Sequence, residues 1–100
     1  RYQMMSAIDR WVIRRTLAEL AKATNTLEIS LATYCINVSP QSLREATFVE
    51  YIEDAIAESG VAPDTLCFEL TETAMVHNFE KAQRFINRLQ KRGCRVALDD

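Results

Sequence analysis

Asn37, Glu69 and Asp99 recur at intervals of 32 and 30 residues, Glu72 follows Glu69 by three positions, and Asp100 follows Asp99 directly. About 30 residues is the length of one strand–helix–strand unit, so side chains at this spacing fall at equivalent points of successive strands. Asn, Asp and Glu offer hard oxygen donors, which suit Mg²⁺ or Mn²⁺ far better than zinc or copper. An ion held there would polarise a phosphoryl oxygen and lower the pKa of bound water. Each residue also has an ordinary reading. An Asn after a strand is commonly a turn residue, and a carboxylate at a strand end is commonly a helix cap or a solvated group. Only their shared face and level point to a divalent-metal site, and on the residues alone both readings stand.

Other chemistries are poorly supplied. Two Gly in 100 residues leave no Gly-rich phosphate loop. Cys35, Cys67 and Cys94 are odd in number without CxxC spacing, and His77 is the single histidine, which argues against a disulfide scaffold or a structural zinc site. Twelve basic against fourteen acidic side chains give a net charge of −2, so no positive field holds a nucleic-acid polymer or an anionic membrane. No apolar run approaches the ~20 residues of a membrane span, and the start lacks a signal-peptide core. The segment reads as soluble, without membrane contact, and cytoplasmic, any membrane anchor belonging to other domains of its protein.

Positioning the oxygen donors requires strands. Met4 to Ala23 carries helical spacing, with Met5, Ile8 and Val12 on one stripe and Ile13, Leu17 and Leu20 close by. From about Leu27 the sequence turns rich in β-formers and stops near Val38, because Pro40 ends a ladder. Thr47 and Glu50 form a capping-box pair ahead of Phe48, Ile52, Ala55 and Ile56, and Ser59-Gly60 stops that helix. Thr65 to Thr71 alternates as a strand with two different faces. Asn78 caps a helix striped by Phe79, Ala82, Ile86 and Leu89, Gly93 ends it, and a third strand runs to Asp100.

The order α-β-α-β-α-β implies an α/β fold with three parallel strands. Alternation puts Cys35 and Asn37, Cys67 and Glu69, and Ala97 and Asp99 on one face. The opposite faces, Tyr34, Ile36 and Val38, then Leu66, Phe68 and Leu70, then Val96 and Leu98, belong under the helices. The oxygen donors thus form one layer near the C-terminal strand ends, where α/β folds bind ligands. Cys35 and Cys67 read as packing beneath it, and His77 as a solvent-facing or capping residue. Arg14, Arg15, Lys81, Arg84, Lys91 and Arg92 read as solvated helix faces, and Trp11 with Met4-Met5 as helix packing.

Four ordered blocks resemble the EAL domain: Ile-Asp-Arg-Trp-Val at 8 to 12, Ile-Asn-Val-Ser-Pro-Gln-Ser-Leu at 36 to 43, Cys-Phe-Glu-Leu-Thr-Glu-Thr at 67 to 73, and Gly-Cys-Arg-Val-Ala-Leu-Asp-Asp at 93 to 100. The resemblance implies part of a (β/α)₈ TIM-like barrel that hydrolyses cyclic di-GMP to pGpG with Mg²⁺ or Mn²⁺. It makes Asn37, Glu69 and Asp99 direct metal ligands, gives Asp100 to a second metal, and assigns Glu72 to positioning an active-site loop. It spans residues 1–100, roughly two-fifths of the ~250 residues that such a barrel takes. The Glu-Ala-Leu signature is expected before Arg1, and further catalytic groups, a lysine among them, after Asp100. These hundred residues alone are therefore expected to be inactive and, with strand edges open, to form a homo-oligomer. The alternative is a catalytically inactive EAL-like receptor for cyclic di-GMP. A phosphoacceptor receiver is disfavoured, because its acidic pair follows the first strand and Asp99-Asp100 ends the third.

Overall fold

The computed structural model describes residues 2–22 and 33–99. Helix α1 (Tyr2–Lys22) precedes β1 (Tyr34–Asn37), a short α2 (Pro40–Arg44) and α3 (Phe48–Ser59). A 3₁₀ turn (Pro63–Thr65) leads into β2 (Leu66–Thr71), α4 (Glu72–His77), α5 (Phe79–Lys91) and β3 (Arg95–Asp99). The expected strand start at Leu27 lies outside the described residues.

The three strands form one parallel sheet in the order β1-β2-β3. Its helix-side face is Ile36, Val38, Leu66, Phe68 and Leu70, all buried, with Val96 partly so. Over it, Phe85 of α5 stacks on Phe48 of α3 at 6.0 Å and meets Phe68 of β2 edge-on at 6.2 Å, joining three elements through one ring. Leu98, expected under a helix, is 55% exposed on the edge strand, where no described helix covers it.

The buried stripe of α1 differs from the expected one. It runs through Ser6, Asp9, Ile13, Leu17 and Leu20, and turns Met4, Met5, Ile8 and Trp11 outward, Trp11 being 63% exposed. The cause is polar. Ser6 donates to Glu45 at 2.8 Å, and Asp9 accepts from the Ser39 amide and the Ser42 hydroxyl at 2.9 and 2.6 Å, which sets the rotation of the helix. Trp11 and Met4-Met5 therefore do not pack within the described residues, although Arg15 lies over the Trp11 ring at 6.0 Å.

Several basic residues read as solvated faces instead tie helices together. Arg14 pairs with Glu58 at 2.9 Å, and Arg84 and Arg88 with Glu50 at 2.9 and 2.7 Å. Arg88 and Arg92 also hold the buried carboxylate of Glu53. Glu50 is thus occupied elsewhere and completes no capping box; Thr47 makes no cap hydrogen bond and accepts from Arg10 at 3.4 Å. Asn78 likewise donates back to the Ala74 carbonyl at 3.2 Å and leaves α5 without a side-chain cap. Gly60 (φ 74°) ends α3 as expected. Gly93 (φ 97°) ends α5 with the Gly93 and Cys94 amides returning to Gln90 and Leu89, a Schellman arrangement.

Because the Phe85 ring bridges α3 and β2, Phe85→Ala is expected to cost about 3–5 kcal/mol, read as a lower urea midpoint. Burial also pushes the Cys94 thiol up from 9.0 to about 11. Below pH 9 it is neutral in both folded and unfolded chains; above that, only the unfolded thiol ionises, so stability falls as pH rises from 9 to about 11. The urea midpoint should decline less steeply across that window in Cys94→Ala than in the parent protein.

Candidate functional site

The face away from the helices carries the oxygen donors, and the ladder sets their relation. Asn37 is directly paired with Glu69, and Glu69 with Ala97. Asp99 pairs with Thr71, so it stands two positions beyond the Asn37–Glu69 row instead of level with it along the ladder. Asp100 lies outside the described residues. Asn37 and Asp99 are exposed and Glu69 is half-buried. Neither the Asn37 nor the Glu69 side chain is hydrogen-bonded or ion-paired to another described residue.

Local chemistry holds these positions. Past the end of β1, the Val38 amide still donates to the Glu69 carbonyl at 3.0 Å, extending the ladder and locking Asn37 beside Glu69. At Ser39 the chain turns into α2, whose first position is Pro40; Ser39 caps it by accepting from the Ser42 amide at 3.2 Å. At the end of β2, Thr71 accepts from the Ala74 amide at 3.0 Å and caps α4, leaving Glu72 exposed in that helix's first turn. His77 ends α4 and is exposed, in keeping with a solvent-facing role.

Neither short helix was expected from the sequence, where Pro40 registers only as the end of a strand. The overlooked signal is the pair Ser39-Pro40, a capping residue followed by the one residue favoured at a first helical position. Thr71 ahead of Glu72 is the corresponding signal for α4. Asp9 also went unmarked as a residue reaching the site, because nothing local shows that it meets Ser39.

The donors fit a hard cation by type, two carboxylates and an amide oxygen. Cys35 and Cys67 face each other one row below. Burial pushes the Cys67 thiol up and Cys35 adds to the shift. Among the described residues, no three His, Cys, Asp or Glu side chains are grouped so as to hold a metal ion. A cavity of about 230 Å³ lies among the helices, lined by residues that include Leu43, Phe48, Lys81 and Phe85 and by none of the strand-end donors.

The sequence matches the family model described as EAL domain over residues 1–100. It is 33% identical over 99 residues to the cyclic di-GMP phosphodiesterase PdeF of Escherichia coli, covering 99% of this chain and 13% of that protein. This chain therefore spans a small part of that relative's length. The EAL domain of Mycobacterium smegmatis DcpA superposes with a TM-score of 0.84 at 31% identity, over 95% of this chain and 42% of that one. The PaMucR phosphodiesterase, solved as a c-di-GMP complex, superposes at 0.88 and 17% identity over 98% of this chain and 39% of that one, a likeness of fold. With three parallel strands, interleaved helices and a family match along its whole length, the chain belongs to the EAL domain family, whose fold is TIM-barrel-like.

Proposed function

We propose that residues 1–100 are part of an EAL domain in a bacterial signalling protein that hydrolyses cyclic di-GMP to pGpG. The observation that carries this reading is the direct pairing of Asn37 with Glu69 on the open face at the C-terminal strand ends, neither side chain bonded to another described residue. Asn37, Glu69 and Asp99 hold a Mg²⁺ or Mn²⁺ ion, and Asp100 serves a second. When bound, such ions supply Lewis-acid polarisation of the phosphoryl group and acidify bound water. Asn37 and Glu69 contribute preorganised oxygen atoms, fixed by the ladder before any ligand arrives. Glu72, in the first turn of a helix capped by Thr71, positions an active-site loop.

The hundred residues alone are inactive, a reading supported by the three described strands where a closed (β/α)₈ barrel takes eight. No described helix is long and apolar enough to cross a membrane, which is compatible with a cytoplasmic domain. Self-association is part of the same proposal, supported by β1 and β3 having one described neighbour each and by exposed Met4, Ile8 and Trp11. Light scattering of the isolated segment should give a mass above that of one chain, and a monodisperse monomer would refute this.

The function is tested in the intact protein by chromatography resolving pGpG from cyclic di-GMP. Mn²⁺-dependent product is expected from the parent. Glu69→Gln should weaken Mn²⁺ binding by more than the about 10–100-fold that loss of an outer hydrogen-bond partner costs, and product formation should fall with it. Tight cyclic di-GMP binding without product would overturn hydrolysis in favour of the receptor. Unchanged Mn²⁺ affinity in Glu69→Gln would overturn the ligand assignment.

A further inference from the structure

Asp9 is 7% exposed, and its carboxyl group is spent on one turn of backbone. A single oxygen, Oδ2, accepts from the Ser39 amide at 2.9 Å and from the Ser42 hydroxyl at 2.6 Å. The Ser39 hydroxyl in turn donates to Ser42 Oγ at 3.1 Å, and Ser42 is wholly buried. Ser39 lies two residues past Asn37. The chain leaving Asn37 is thus held at two successive amides, Val38 by the Glu69 carbonyl and Ser39 by Asp9.

Helix capping does not explain this carboxyl group. Ser39 already caps α2 with its own side chain, accepting from the Ser42 amide. No described cation pairs with Asp9, and burying a carboxyl group without one is costly, so an apolar residue against α2 would serve stability as well or better. What the carboxyl group adds is direction. It ties the turn behind Asn37 to α1, an element that the strand ladder does not otherwise fix.

We propose that Asp9 is a positioning residue for Asn37, acting through the Ser39 amide and the Ser42 hydroxyl to hold the Asn37 side chain where it meets the cation. This rests on reading Asn37 as a metal ligand. Such outer hydrogen-bond partners typically contribute about 10–100-fold to metal affinity.

The test measures Mn²⁺ affinity of the intact protein by the loss of the free-ion electron paramagnetic resonance signal, together with the melting temperature of the metal-free protein. Asp9→Ala is expected to weaken Mn²⁺ binding about tenfold, and Asp9→Asn, which keeps an acceptor oxygen, to recover most of it. In an Asn37→Ala background, Asp9→Ala should cause no further loss, because the two act as one unit. A lowered melting temperature with unchanged Mn²⁺ affinity overturns the inference, as does an undiminished Asp9 effect in the Asn37→Ala background. If Asn37→Ala itself leaves Mn²⁺ affinity unchanged, the ligand reading fails and takes this inference with it. Should Asp9→Ala not fold, Ser42→Ala removes one of the two contacts; it should give a smaller loss, again absent in the Asn37→Ala background, and no loss overturns the inference.

Discussion

Everything in this chain is arranged around the central strand β2. Its backbone is paired on both sides, and Leu66, Phe68 and Leu70 are fully buried. Parallel partners cannot be joined by a tight hairpin, so each neighbour must be reached through a crossover, here a helical one. The helices of those crossovers cover the Leu66–Phe68–Leu70 face and leave the alternate face, Cys67 and Glu69, to whatever stands opposite. Period-two alternation thus separates packing from chemistry within six residues.

The charges divide along the same line. On the helix side, Glu45, Glu50, Glu53 and Glu58 each pair with an arginine. The more exposed pairs add little stability, about 0–1 kcal/mol each, but they leave those acids no charge to offer. Glu69, on the open face, has no such partner among the described residues. Among the described residues this leaves Glu69 without an ionic partner at a strand end, where it can attract a cation.

The strands and most of their two faces were legible because each rests on local periodicity: Thr65 to Thr71 alternates whatever surrounds it. The buried faces of Phe48, Ile52 and Leu89 were legible for the same reason. The rotation of α1 was not. The apolar residues of α1 offer two overlapping stripes; the buried one carries Ile13, Leu17 and Leu20, and the long-range bonds of Ser6 and Asp9 to Glu45, Ser39 and Ser42 hold the first turns to the same face. Thr47 and Asn78 failed as caps for a related reason. Their spacing is correct, but Arg10 bonds to Thr47, Arg84 and Arg88 take up Glu50, and Asn78 bonds back to Ala74. Among the proposed donors, the shared face of Asn37 and Glu69 follows from alternation, whereas the pairing of Asp99 with Thr71 depends on strand register, which spacing does not determine.

That register bears on the proposed ligand set. Strands that close into a barrel tilt, and the tilt staggers the ladder against the barrel axis. With eight strands and a shear of eight, the stagger is about one residue per strand. Two steps along the ladder from Asn37 reach Ala97, by way of Glu69. Equal height along the axis after two steps is then displaced by about two residues from Ala97, a displacement of the size that separates Ala97 from Asp99. An open, untilted sheet would put Ala97 level with Asn37 and leave no carboxylate of the third strand at that level. In a sheared sheet, the register that pairs Asp99 with Thr71 would bring a carboxylate to about the level of Asn37.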